Sequence, residues 1–247
     1  MMDILRSEWT KIRSVRSTVW TLAVTALLML GLGGLISFAS KSTSDGRPIS
    51  GDQAVMTSLT GIMFASLSIA TLGVLVISSE YRTGGIRTSL MAVPRRMSLL
   101  TGKIVVFTVT ALVVCTVAAA ASMALGLAIT QPASVDMGAA VQSVIGAGLY
   151  LTACGLFGLG LGTLVRHTPG ALVSAIALML VLPQLTGALP GQWGKTVSDH
   201  FTTNAGLEVV LDQAGNSLGP WSGYGVYLIW VAVAVAAGAL LMRRRDA

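Results

Sequence analysis

Residues 80–103 read EYRTGGIRTSLMAVPRRMSLLTGK and lie between two long apolar segments. The stretch has one acidic residue, Glu80, and its five basic residues are Arg82, Arg87, Arg95, Arg96 and Lys103. No other stretch of this length in the chain is as polar and as cationic. Because basic loops between membrane spans stay in the cytoplasm, the stretch predicts a cytoplasmic loop and fixes the orientation of its neighbours.

Local signals inside this loop predict a short helix over residues 86–92. Gly84 and Gly85 precede that segment and Pro94 follows it. A proline disfavours helix in the residue before it and suits the first turn of a new helix, so a second helix should run from Pro94 into the next span. A charged, amphipathic element of this kind is suited to docking on a partner. An ordinary positively charged loop explains the same charges, and both interpretations stay open.

The composition is that of an integral membrane protein. Hydrophobic residues make up 53% of the 247 residues, charged residues 11%, and the mean hydropathy is +0.78. Soluble domains have about 25% charged residues. The net charge of +6 does not indicate a nucleic-acid partner, because the cations cluster at the ends of apolar runs and not in a patch with interleaved aromatic residues.

Six apolar stretches reach the length of about 20 residues that a helical span needs. Transmembrane strands would be about 10 residues long with alternating polarity, so the chain is predicted to be an all-α membrane protein in a single transmembrane domain, 1–247. The predicted spans are 19–39, 54–79, 104–130, 139–165, 169–188 and 223–242. Residues 1–18 predict an amphipathic helix in the membrane interface, with Trp9 at headgroup level. Residues 189–222 predict an extracellular segment with short helices before the last span.

The distribution of lysine and arginine predicts the topology. Thirteen of the 16 lie on the side of the 80–103 loop, and Lys41, Arg47 and Lys195 lie on the other. Both termini are therefore predicted to be cytoplasmic, in a multi-pass membrane protein.

Motifs for catalysis or metal binding do not emerge from the sequence. Residues 191–196 read GQWGKT, but the first glycine of a phosphate-binding loop would have to be residue 189, which is leucine. His167 and His200 fall on opposite sides of the predicted membrane. The middles of the predicted spans contain no Asp, Glu, Lys or Arg, which argues against a proton-coupled carrier. The energy source is therefore predicted to lie outside this chain, which is not itself an enzyme.

Small residues recur every four positions along the fourth predicted span, at Cys154, Gly158 and Gly162. Such a ridge lets a neighbouring helix approach closely. The neighbour belongs either to the same chain or to a second copy, and the sequence leaves both possibilities open.

Taken together, these features resemble the permease subunit of an ABC-2 type transporter, which has the type V exporter fold. The resemblance extends over essentially the whole chain and rests on diffuse motifs. They are the amphipathic start at residues 7–14, six spans with both ends inside, the segment before the last span, and the loop residues Glu80, Tyr81, Gly84, Arg87, Leu90, Pro94, Arg95, Arg96, Gly102 and Lys103. The Ala-, Gly- and Val-rich composition, with more arginine than lysine, is similar to that of actinobacterial proteins.

The resemblance implies a mechanism. Two permease copies, most simply a homodimer, would pair in the lipid membrane above two copies of a separate ATP-binding subunit, which would bind ATP and Mg²⁺. The segment 86–92 would be the coupling helix, and the implied coupling residues are Glu80, Gly84, Gly85, Ile86, Arg87, Leu90, Pro94, Arg95 and Arg96. Glu80 would either pair with a nearby arginine or stay solvated at its helix end.

The implied substrate is hydrophobic or amphipathic. Helix spacing and the resemblance predict a cavity lined by Met63, Phe64, Leu67 and Thr71 of the second span and by Leu178, Leu182 and Gln184 of the fifth. This lining would suit export of a drug, a peptide antibiotic or a lipid-like compound. A membrane anchor or assembly factor that transports nothing, and a passive channel, are the alternatives.

Overall fold

The computed structural model describes residues 2–44, 47–83, 96–211 and 218–244. These residues contain helices and no strand, as predicted. In chain order the helices are α1 (Met2–Ser14), α2 (Arg16–Thr43), α3 (Gly51–Ser58), α4 (Ile62–Thr83), α5 (Arg96–Thr130), α6 (Met137–Val165), α7 (Thr168–Ile176), a π-helical segment (Ala177–Val181), α8 (Leu182–Gly187), α9 (Gly191–Asp199), α10 (Thr202–Leu211) and α11 (Pro220–Arg244).

Six helical stretches in this part of the chain are long and apolar enough to cross a membrane, which confirms the predicted number. They are Arg16–Thr43, Gly51–Glu80, Met97–Thr130, Met137–Val165, Thr168–Gly187 and Pro220–Met242. The second span consists of α3 and α4, and the fifth consists of α7, the π-helical segment and α8. The chain is thus a multi-pass membrane protein.

Helix α6 lies at the centre of the bundle and packs against α4, α5, α10 and α11. The two glycines of its small-residue ridge face α4 of the same chain, whereas the Cys154 sulfur accepts a hydrogen bond from Tyr227 of α11. The neighbours of the ridge therefore belong to the same chain. A Cβ atom on Gly158 would collide with the backbone of Ala70, and one on Gly162 would contact Val74 and Ile77. The glycines therefore set the distance between the second and fourth spans.

We expect Gly158→Ala to lower the free energy of unfolding by roughly 1–3 kcal/mol, because the added methyl group meets backbone atoms that cannot move independently. Gly31→Ala is the matched control, since nothing beyond the neighbouring backbone of its own helix lies within 4 Å of its Cβ position. The control should be neutral or slightly stabilising, because alanine favours helix over glycine by about 1 kcal/mol. Thermal unfolding of both variants in one detergent measures the difference. Equal effects would contradict the assigned packing.

A tight link between α6 and α7 positions the fifth span beside the second. Arg166 ends α6 with a positive φ of 57°. His167 Nδ1 then accepts a hydrogen bond from the backbone N–H of Gly170, and Pro169 occupies the first turn of α7. The chain thus reverses direction over two residues, and α7 packs against α4 as well as α6.

Candidate functional site

Four charged side chains from three helices meet where the second span ends and the third begins. Glu8 and Lys11 come from α1, Glu80 from α4 and Lys103 from α5; we call these four residues the charge cluster. Lys103 Nζ lies 2.6 Å from Glu8 Oε2 and 3.0 Å from Glu80 Oε1. Lys11 Nζ lies 2.7 Å from Glu8 Oε1 and 2.9 Å from Glu80 Oε1. Each lysine therefore bridges both carboxylates.

The charge cluster is largely shielded from solvent. Lys103 is 3% exposed and Glu8 is 4% exposed, whereas the Lys11 side chain is 39% exposed. Burying an ion costs several kcal/mol unless opposite charges and hydrogen bonds compensate it, and here every charge has at least one partner within 3.0 Å. The cluster thus ties the ends of α1, α4 and α5 into one unit.

The local sequence explains how these groups meet. Glu8 and Lys11 are three residues apart on α1 and therefore share one face of that helix. Gly102 lies where α1 crosses α5: a Cβ atom there would come within 2.6 Å of Ile4 Cγ2. The absence of a side chain at Gly102 lets α1 approach closely enough for Glu8 to reach Lys103.

The expectation that Glu80 stays solvated is wrong, because its side chain is 14% exposed. Its partners in the described residues are Lys11 and Lys103. The side chains of the loop arginines lie outside the described residues, so pairing with one of them stays a prediction. From the sequence, Lys103 is one of the loop cations, and neither Glu8 nor Lys11 is predicted to have a role of its own. A glutamate and a lysine one turn apart, among the apolar residues of an amphipathic helix, were the signal for a buried ion pair.

One oxygen of the charge cluster has no partner in the described part of the chain. Glu80 Oε2 is buried and accepts no hydrogen bond there. The segment 84–95 begins four residues further along the chain. The predicted helix over 86–92 lies outside the described residues, as do Gly84, Gly85, Ile86, Arg87, Leu90, Pro94 and Arg95; Arg96 begins α5, and its side chain is not described.

Two members of the charge cluster, Glu8 and Lys11, have pKa values shifted toward the charged form. Burial by itself raises the pKa of the Glu8 carboxyl, but the charges and hydrogen bonds of Lys103 and Lys11 outweigh it, and the pKa is lowered from the ordinary 4.5. Burial likewise lowers the pKa of Lys11, but hydrogen bonds from its ammonium to Glu8 and Glu80 outweigh that effect and raise the pKa above the ordinary 10.5.

These shifts predict a stability that depends on pH at both ends of the scale. A carboxyl whose pKa is lowered on folding stabilises the fold above its unfolded pKa, and this contribution is lost as pH falls through the folded pKa. A lysine whose pKa is raised stabilises the fold below its unfolded pKa, and the contribution is lost as pH rises through the folded pKa. We therefore expect the thermal midpoint to be flat between the ordinary values of 4.5 and 10.5 and to fall outside them. Glu8→Gln should reduce the loss of stability at acid pH. It should also reduce the loss at alkaline pH, because Lys11 then keeps only Glu80 as a partner. An unchanged dependence at acid pH would contradict the pairing.

The predicted cavity residues lie on two neighbouring spans, and most reach the surface of the single chain. Met63, Phe64, Leu182 and Gln184 are exposed, and Leu67, Thr71 and Leu178 are half-buried. The Thr71 hydroxyl donates to the carbonyl of Leu67 and so is satisfied within α4. Within one chain these residues form open, mainly apolar faces of α4 and of the fifth span.

A second polar feature, which sequence analysis missed, lies in the fifth span. The span is π-helical over Ala177–Val181, where the N–H of Leu182 donates to the carbonyl of Ala177. Pro183 has no N–H, so it cannot donate to Met179 in the α-helical register or to Leu178 in the π-helical register. Two sequence signals for this feature were Pro183 inside an apolar stretch and the Thr202-Thr203 pair in the segment that follows the fifth span.

The side chains of α10 supply donors for these two carbonyls. Thr202 Oγ1 donates to the carbonyl of Leu178 at 2.7 Å, and Thr203 Oγ1 donates to that of Met179 at 2.9 Å. Both threonines are buried. We call this pair of hydrogen bonds the hydroxyl clasp; it attaches the segment between the fifth and sixth spans to the irregular turn of the fifth.

The chain is similar to a known protein family. Residues 4–183 match a family described as ABC-2 family transporter protein. The matched range includes the whole charge cluster, the segment 84–95, both predicted cavity faces up to Leu182, and Pro183. A comparison with curated proteins found no significant match.

Proposed function

Because this chain belongs to the ABC-2 family of transporter proteins, we propose that it exports a hydrophobic or amphipathic compound as the permease subunit of an ATP-driven exporter. Membership of the family implies association with an ABC ATP-binding subunit. In the proposed assembly two copies of that subunit bind ATP and Mg²⁺ and serve two copies of this chain. The membrane is a bacterial plasma membrane, with both termini and the 80–103 loop in the cytoplasm.

The charge cluster is the observation that carries this proposal. Glu80 is the first residue of the 80–103 loop and Lys103 is the last, and Lys103 Nζ lies 3.0 Å from Glu80 Oε1. Glu8 and Lys11 join the same unit from α1. A displacement of the loop by an ATP-binding subunit would therefore reach α4, α5 and α1 together, which is the requirement for converting ATP binding into movement of the spans.

The chemistry of the exposed faces supports an apolar substrate. Met63, Phe64 and Leu182 are exposed in the single chain, on spans that pack side by side. A second copy facing these spans would enclose a cavity with mainly apolar walls, in which hydrogen bonds to a polar polysaccharide would be few. A drug, a peptide antibiotic or a lipid-like compound fits such walls.

The test is to co-express the chain with the ATP-binding protein encoded beside its gene, purify the complex and measure ATP hydrolysis with and without hydrophobic compounds. Arg87→Glu with Arg95→Glu should abolish complex formation, because these cations lie in the proposed coupling loop. Arg47→Glu, on the opposite side of the predicted membrane, is the matched control and should leave the complex intact.

The alternatives give different outcomes. A complex whose hydrolysis never responds to any transported compound would favour an anchor or assembly factor. Flux through vesicles containing this chain alone, without ATP, would favour a passive channel. Failure to bind any ATP-binding subunit would overturn the coupling role of the loop.

A further inference from the structure

The face of α1 that points away from the charge cluster carries exposed cationic side chains. At 100° per residue, Arg6 and Arg13 lie within about 20° of each other and about 140–160° from Glu8. Both are exposed, as is Arg16 at the start of α2. Among the described residues, none accepts a hydrogen bond or forms an ion pair with these three guanidinium groups.

Two exposed tryptophans indicate the depth of these arginines relative to the membrane surface. Trp9, on α1, is 45% exposed, and Trp20, in the first turns of the first span, is 71% exposed. Tryptophan prefers the boundary between the hydrocarbon and the lipid headgroups. Arg13 and Arg16 lie between the two tryptophans in the chain and therefore at or near the headgroup layer.

The chain path strengthens this assignment. Val15 leaves the helical conformation (φ −79°, ψ 109°), so that α1 and α2 meet at a bend, and α2 continues from Arg16 into the membrane. Val15 and Val19 at the bend are exposed and apolar. An apolar, tryptophan-flanked bend that carries two guanidinium groups, with Arg6 on the same face of α1, has the composition of a membrane-surface element and not of a protein-binding face surrounded by solvent.

We propose that Arg6, Arg13 and Arg16, with Trp9, form a binding surface for the phosphate groups of anionic phospholipids. A guanidinium group donates two parallel hydrogen bonds to a phosphate and keeps its charge at every physiological pH. Each arginine near an anionic membrane surface strengthens association by about fivefold. The opposite face of α1 is held by Glu8 and Lys11, so α1 joins the lipid surface to the charge cluster.

The test places a fluorophore at this surface. Thr10→Cys is exposed on α1 and takes a thiol-reactive dye, whereas Cys115 and Cys154 are buried. The labelled full-length protein is reconstituted in phosphatidylcholine vesicles that contain either brominated phosphatidylglycerol or brominated phosphatidylcholine as quencher. We expect the anionic quencher to be enriched around the dye by about fivefold or more, and to lose this enrichment at high salt.

Variants separate charge from structure. Replacing Arg6, Arg13 and Arg16 by glutamine should bring the enrichment to about one, whereas replacing all three by lysine should retain most of it. A dye on Ser42→Cys, at the other end of α2, should not respond to the glutamine changes. The thermal midpoint of the glutamine variant should stay close to that of the wild type, since exposed substitutions change stability by about 0.5 kcal/mol or less.

Two results would overturn the proposal. One is equal quenching by the two lipids in the wild-type protein. The other is a glutamine variant that keeps the enrichment of the anionic quencher but no longer captures the ATP-binding subunit. That result would assign these arginines to a protein partner. The measurement needs no ATP-binding subunit, so the proposed function can fail without affecting it.

Discussion

Replacing Lys103 by methionine is expected to lower the free energy of unfolding by about 3–5 kcal/mol, the range measured when one partner of a buried ion pair is removed. Methionine keeps much of the volume of the lysine side chain but leaves Glu8 without the ammonium that lies 2.6 Å away. Glu80 loses one of its two lysine partners in the same step. The measurement is the thermal or denaturant unfolding of the detergent-purified chain.

Lys11→Met is the matched control for this prediction. The Lys11 side chain is 39% exposed, and its removal leaves both carboxylates in contact with Lys103, so the loss should be clearly smaller. Combining Lys103→Met with Glu8→Gln should cost less than the sum of the single changes, because the carboxylate stranded by the first change is neutralised by the second. Additive losses would show that the residues act independently and that the charge cluster is not a unit.

The spans of this protein could be predicted from sequence because the bilayer imposes a long, continuous apolar pattern. Six such stretches and the positive charge between the second and third gave the fold class, and the loop motifs indicated the family that the match over residues 4–183 then showed. Small residues at Gly158 and Gly162 indicated close helix packing. Their partner could not be predicted, since a ridge on one helix carries no information about which helix faces it.

The sequence carried local signals for the charge cluster and the hydroxyl clasp, but the partners in each could not be predicted, because each joins residues that are far apart in sequence. Glu8 and Lys103 are 95 residues apart, and each taken alone has the pattern of a solvated residue beside a membrane span. Thr203 lies 24 residues from Met179. The Thr203 hydroxyl is needed because the Met179 carbonyl receives no N–H from Pro183, four residues later. A hydropathy pattern does not reveal such a relation between a backbone carbonyl and a distant side chain.

Replacing both Thr202 and Thr203 by valine is expected to destabilise the protein by about 1–3 kcal/mol for each carbonyl that loses its donor. Valine has nearly the shape of threonine, so packing is retained and the hydroxyl clasp alone is removed. Thr108→Val is the matched control: its hydroxyl donates back to the Ile104 carbonyl within α5, and its loss should change stability by about 0.5 kcal/mol or less.

Pro183→Ala tests the cause of this destabilisation. An alanine at this position has an N–H, which in either helical register can donate to one of the two carbonyls that the clasp satisfies. The change should therefore recover part of the stability lost by the double valine variant, although it removes the proline that favours the irregular turn. If the recovery is absent, the valines act through packing. If it is present, the carbonyls that Pro183 frees hold the irregular turn and α10 together, and the hydroxyl clasp attaches the segment before the last span to the fifth span.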